Sequence, residues 1–144
     1  MNELQIHSEY QFRRATANRT VEDDIQALNR EDTLPEMELG YLRFAPGEPF
    51  AKERIGVWLG AGNTGFTLVC YKEENRLLAE SVLRLLVRCL QEQLRVLNQP
   101  AEVSLKADRV SLIISKLLPD GALIFMNHRV VRGLEMELDI LMKA

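Results

Sequence analysis

Between Asn75 and Leu97 the apolar residues fall at helical spacing. Leu78, Val82, Leu85 and Cys89 recur on one stripe, and Leu83, Leu86, Leu90, Leu94 and Leu97 widen it. A 3.6-residue period sustained over about six turns predicts an amphipathic helix that other elements must cover. Asn75 is placed to cap it, Glu80, Arg84, Arg88 and Arg95 mark its solvent side, and Pro100 follows it. Any fold for this chain has to supply an apolar surface for that helix.

The segment before the helix supplies strands. Ile55-Gly56-Val57-Trp58-Leu59 and Phe66-Thr67-Leu68-Val69-Cys70-Tyr71 are short apolar runs joined by Gly60-Ala61-Gly62-Asn63-Thr64-Gly65, which predicts a β-hairpin. The second run is apolar on both faces and is expected to be a central strand covered by helices. Trp58 reads as sheet core beside Phe66. Earlier, Pro35, Pro46, Pro49 and two glycines break the chain between Thr33 and Phe50 and leave Gly40 to Phe44 as a short strand. Tyr10, Phe12, Val21, Ile25 and Leu28 stand among many charges between Glu9 and Glu31, a weakly patterned and at most partly helical segment.

After Pro100, Val110, Ile113, Ile114 and Leu117 predict the buried face of a helix from about Ala107 to Leu118. Pro119-Asp120-Gly121 predicts a turn. The apolar run Leu123-Ile124-Phe125-Met126 precedes a last amphipathic helix from about Asn127 to Met142, carrying Val130, Val131, Leu134, Leu138 and Leu141. The 144 residues, 47% hydrophobic and 27% charged, suit one domain with a real core.

Charge and composition exclude several functions. A net charge of −3 offers no basic face for a phosphate backbone, so nucleic acid is not expected as a ligand. Cys70 and Cys89 sit in apolar runs and read as small buried hydrophobes in a reducing compartment. There is no basic and apolar leader at the N-terminus and no long apolar span, so a soluble intracellular protein is expected. The Asn18-Arg19-Thr20 sequon then has no chemistry to perform.

Gly60, Gly62 and Gly65 spell the glycine pattern that holds a dinucleotide when a helix follows and aims its N-terminus at the pyrophosphate. Strand-forming residues follow instead, so no cofactor is assigned. His7 and His128 have no ligand-spaced cysteine or carboxylate, and no metal site is assigned. Asp108 beside Arg109, and Glu135 and Glu137, read as solvated helix charges and not as paired acids, which leaves no catalytic residue and no enzyme. Glu73-Glu74-Asn75-Arg76-Leu77-Leu78 fits an acidic dileucine signal, but burying each leucine is worth roughly 1.5–3 kcal/mol, so both are expected in the helix's core face.

Across the chain from Gly40 onward, an ordered series of motifs resembles the sigma, or small, subunit of adaptor protein complex five. They are Gly40-Tyr41-Leu42-Arg43-Phe44 with Pro49-Phe50, Val57-Trp58-Leu59-Gly60 with Gly65-Phe66, Glu74-Asn75 leading into Leu77-Leu78-Ala79-Glu80, and Leu83-Arg84-Leu85-Leu86. Lys106 to Val110, Leu117 to Gly121, Leu123-Ile124-Phe125 and Gly133-Leu134-Glu135 complete the series. The layout is also similar to sigma subunits of the clathrin adaptors, which share the longin fold.

The resemblance implies an α/β (α+β) fold: a five-stranded antiparallel sheet with helices packed on both faces and its first strand central. Here Met1 to Glu9 offers only Leu4 and Ile6, so the first strands are expected to be missing, with Glu3 to Ser8 a poor substitute. Residues 1–144 are expected to form a single longin-like domain, weakly patterned over 1–39 and family-like over 40–144.

By the same resemblance, the chain is expected to act as a non-catalytic subunit in endosomal protein transport. It would assemble with two large subunits and a medium subunit, associate with spatacsin and spastizin, and reach late endosome and lysosome membranes only peripherally. The clathrin-adaptor dileucine pocket has no residue-by-residue match here. The alternative reading is a free-standing longin-like or PAS-like domain that binds a small ligand or small GTPase in a pocket near Trp58 and Phe66.

Overall fold

The computed structural model describes residues 2–16, 37–47, 50–62, 64–123 and 127–143. It is a mixed helix and sheet structure with a three-stranded antiparallel sheet and four helices among the described residues, consistent with an α/β longin-like fold. The described chain falls into two compact units, Met1–Glu74 and Asn75–Ala144.

The first unit holds α1 (Asn2–Thr16), β1 (Glu38–Phe44), β2 (Arg54–Ala61) and β3 (Thr64–Tyr71). The sheet order is β1-β2-β3. Gly62, at φ +57°, makes the left-handed turn of the predicted hairpin, and Ala61 pairs with Thr64 across it. The central strand is therefore β2, whose residues from Ile55 to Ala61 are all buried. The expectation of a central place for the Phe66–Tyr71 run is corrected. Among the described residues β3 pairs with β2 alone, and its Val69 and Tyr71 are exposed.

Register also separates Trp58 from Phe66. Trp58 pairs with Thr67 and Leu59 pairs with Phe66, so the two aromatic rings stand on opposite faces of the sheet. The N-terminal residues are the second correction: Glu3 to Ser8 are not a strand but lie within α1. Val21, Ile25, Leu28, the sequon at 18–20 and the run 124–126 lie outside the described residues.

The second unit holds α2 (Arg76–Leu94), a 3₁₀ segment (Pro100–Lys106), α3 (Ala107–Leu117) and α4 (His128–Lys143). The Asn75 side chain caps α2 as expected, accepting from the N–H groups of Leu77 and Leu78 at 3.0 and 3.1 Å. The helix stops three residues before Leu97 because Arg95 turns left-handed, at φ 53°. Buried Gln91 then accepts the Leu97 N–H at 2.9 Å and donates to Asn98 Oδ1 at 2.6 Å. Val96 and Leu97 stay buried in the turn, which is why the apolar pattern runs past the helix end. Lys106 Nζ reaches the Leu94 carbonyl at 3.4 Å, placing a cation at the negative end of α2.

In α3, Ile113 and Leu117 are fully buried, but Ile114 is exposed, against expectation. The turn over Pro119–Gly121 forms as expected, with Asp120 and Gly121 both at positive φ. In α4, the Asn127 side chain accepts the Val130 N–H at 2.8 Å, and Leu138 is the fully buried anchor.

Candidate functional site

A concavity in the first unit lies beside Trp58, next to a cluster of rings that glycines let approach the sheet. Gly40 stands across the β1–β2 ladder from Trp58, and a Cβ there would lie 2.3 Å from the indole ring. Only glycine allows the ring to lie over β1. At Gly60 a Cβ would lie 2.4 Å from the Tyr10 ring, and at Gly56 it would lie 2.6 Å from Phe44. Three aromatic rings thus lie directly over bare backbone. Leu42 completes that buried cluster, with Ile6 and Phe50 packed at its border.

Helix α1 is held down at this point. Tyr10 stands edge-on to Trp58 with ring centroids 6.3 Å apart, and its hydroxyl donates to the Gly62 carbonyl at 2.7 Å. Buried Arg14 donates to the same carbonyl at 2.7 Å. The Arg13 guanidinium lies 5.2 Å above the Trp58 ring, pairs with Glu9 at 2.5 Å and donates to the Leu39 carbonyl. Trp58 Nε1 is buried without a hydrogen-bond partner among the described residues and sits over Gly40. A cavity of about 610 Å³ opens beside Trp58 between α1 and β3, lined by His7, Tyr10, Gln11, Trp58, Thr64 and Thr67 among others. Phe66 does not line it, as its position on the opposite face requires.

The glycine pattern thus has a structural use. Gly60 seats Tyr10, Gly62 turns the hairpin and anchors two side chains of α1, and Gly65 belongs to β3, with α2 starting only at Arg76. His7 is exposed on α1, at the cavity; His128 opens α4. Asp108 and Arg109 are exposed on the first turn of α3. Glu137 pairs with Lys116 at 3.4 Å. Among the described residues no cluster of histidine, cysteine and acidic side chains has the make-up of a metal site.

Of the dileucine pair, Leu78 is half-buried but Leu77 is 74% exposed, which corrects the expectation that both are buried. Leu77 lies one, two and three turns before Ser81, Arg84 and Arg88, on the polar side of α2.

Charges in the second unit link α2 to α4. Arg88 Nη2 donates to Glu135 at 2.5 Å, and Gln93 donates to Asp139 at 2.6 Å. Burial and the nearby charges of Glu135 and Asp139 raise the Glu92 carboxyl, against the pull of Arg88. Burial, reinforced by Glu92 and Glu135, pushes the Cys89 thiol up to about 12. In the first unit, burial raises the Cys70 thiol, and Glu74 adds to it. Neither cysteine is a ready nucleophile. At Glu53, burial acts upward but is outweighed by Arg43 and Lys72, and the carboxyl is lowered.

The family model for AP-5 complex subunit sigma-1 matches residues 1–139. The chain belongs to the AP-5 complex subunit sigma-1 family. The AP-5 complex subunit sigma-1 of Homo sapiens is 42% identical over 116 residues, 79% of this chain and 58% of that protein. The Mus musculus protein of the same name is 46% identical over 66 residues, 46% of this chain and 39% of that protein. The chain therefore spans little more than half the length of the first of these relatives. No solved structure matches it significantly.

Proposed function

We propose that the chain is the small subunit of a heterotetrameric adaptor complex in endosomal transport, acting at late endosomes and lysosomes. It works as one domain over residues 1–144, packed with two large subunits and one medium subunit, with spatacsin and spastizin as further partners. The observation that carries this reading is the family match over residues 1–139. It is supported by apolar side chains left at the surface of the helical unit, where Leu105, Leu77, Ile140 and Met136 are all at least 66% exposed. No described helix is long and apolar enough to cross a membrane, and in this reading membrane association goes through the complex. No residue of this chain needs to be reactive for that role.

The test is native purification of the tagged chain from cells, with mass spectrometry of what comes with it. Stoichiometric recovery of two large subunits and a medium subunit is expected. Recovery of the chain alone, folded and monomeric, refutes the reading. It would favour the free-standing ligand-binding domain, for which the cavity beside Trp58 is the supporting observation. In that case a small ligand would raise the stability of the isolated chain.

A further inference from the structure

We propose that the outer face of α4 is a docking site for an acidic amphipathic helix of a partner polypeptide. Arg129, Arg132 and Lys143 meet carboxylates toward the two ends of that helix, and Met136 and Ile140 pack on apolar side chains between them. Three observations on the second unit converge on this.

The first is the layout of the face. Arg129, Arg132, Gly133, Met136, Ile140 and Lys143 share one side of α4, within an arc of about 100° at about 3.6 residues per turn. All six are exposed, Met136 by 66% and Ile140 by 70%, while the buried anchor Leu138 lies on the opposite side. An apolar centre closed at both ends by charge is the anatomy of a protein interface.

The second is how the charges are sorted. No carboxylate falls within that arc. The acids on its flanks are engaged inside the unit: Glu135 by Arg88 of α2, Asp139 by Gln93 of α2, and Glu137 by Lys116 of α3. Arg129, Arg132 and Lys143 have no ion-pair partner among the described residues. The complementary surface is therefore acidic.

The third is Gly133. A glycine weakens a helix interior relative to alanine, and nothing among the described residues stands within 4 Å of the place its Cβ would occupy. No described contact within this chain uses the missing side chain. A second helix crossing α4 at close range does. A second copy of the chain would set the same cations against each other. An anionic membrane would suit the cations but has no use for the missing Cβ, and two apolar side chains with no aromatic give it little to take in.

The adaptor reading leaves this surface and its chemistry open, and the inference does not rest on it. The test uses the full chain and a fluorescein-labelled helical peptide of alanine and glutamine, with three glutamates and three leucines set at the complementary spacing. A control peptide has lysine in place of each glutamate. A saturable rise in anisotropy is expected with the acidic peptide, and binding at least about tenfold weaker with the control. Gly133→Leu meets no neighbour and favours the helix, so it should raise the melting temperature yet weaken peptide binding at least about tenfold. A merely structural role for Gly133 would not separate the two readouts in that way.

Failure of the acidic peptide to bind overturns the proposal, as does binding indifferent to its charge or to Gly133→Leu. Sedimentation of the chain with phosphatidylserine–phosphatidylcholine vesicles, with the peptide left free, overturns it in favour of a membrane. A zero-length carbodiimide cross-link from Lys143 to an acidic residue of the first unit, with the peptide excluded, overturns it in favour of an occupant within the chain.

Discussion

Replacing Gly60 by alanine isolates the contact that holds α1 on the sheet. The new methyl would lie 2.4 Å from Cδ2 and Cε2 of Tyr10 and 2.9 Å from Cγ. Ordinary carbon contacts are about 3.5–4.0 Å, so the ring has to move by more than about 1 Å. It is not free to do so, because its hydroxyl is bonded to Gly62 and its edge meets Trp58. If the ring stays, overpacking costs about 1–3 kcal/mol. If it leaves, a hydrogen bond worth about 0.5–1.5 kcal/mol is lost, along with part of the roughly 1.5–3 kcal/mol from burying an aromatic ring. Either route predicts a loss on the order of 1–3 kcal/mol.

The assay is urea denaturation followed by Trp58 emission, which reports the unit that contains the change. The decisive arm is Tyr10→Ala, alone and combined with Gly60→Ala. Without the ring the methyl has room, and alanine is favoured over glycine inside a strand by about 0.5–1 kcal/mol. Gly60→Ala should therefore destabilise the native chain and slightly stabilise the Tyr10→Ala chain. An equal cost in both backgrounds would refute the argument that the ring is what the methyl meets.

Asn75→Ala removes the acceptor for two N–H groups at the start of α2 and should lower stability by about 1 kcal/mol, read as a lower melting temperature by far-ultraviolet circular dichroism. Arg95→Gly should raise it by about 0.5–1 kcal/mol, because a left-handed residue with a side chain carries a penalty that glycine escapes. Folded Cys89 should alkylate far more slowly than half-buried Cys70 at pH 8, followed by mass spectrometry. Since folding raises the Cys89 thiol to about 12, its contribution to stability is present below the unfolded thiol value and is lost as pH climbs toward 12. Cys89→Ala should flatten that alkaline decline in a denaturation series.

What could be read in advance follows from how many residues carry each signal. The α2 helix is announced by a stripe of apolar residues, and the hairpin by a glycine-rich break between two apolar runs. The α1 helix has no such redundancy. Among its described side chains the buried ones are Tyr10 and Arg14, with Ile6 at the border, and two of these three are polar or amphipathic, so the apolar signal is weak. The end of α2 depends on one side chain, that of Gln91, bonding backward to a turn, and periodicity carries no record of it. Apolar residues on both faces of β3 look the same in a covered central strand and in an outer strand, so the pattern alone does not fix its place in the sheet.

The cavity was hidden for a geometric reason that the glycines make plain. The connection between Ala61 and Thr64 sets the register, and with it whether Trp58 faces Thr67 or shares a side with Phe66; a slip of one residue would reverse the answer. Glycines 56 and 60 flank Trp58 at two residues on either side, so all three positions share one face of β2, and Gly40 joins them from β1. A strand that removes its own side chains around one tryptophan is preparing seats for rings from elsewhere in the chain. Phe44 and Tyr10 take two of those seats, and Trp58 itself lies over the third. A glycine pattern of this kind is a packing signal when it alternates at a period of two, and a phosphate signal only when a helix follows it. Of Gly60, Gly62 and Gly65, whose spacing would suit a phosphate if a helix followed, only Gly60 seats a ring, and the segment after Gly65 is a strand.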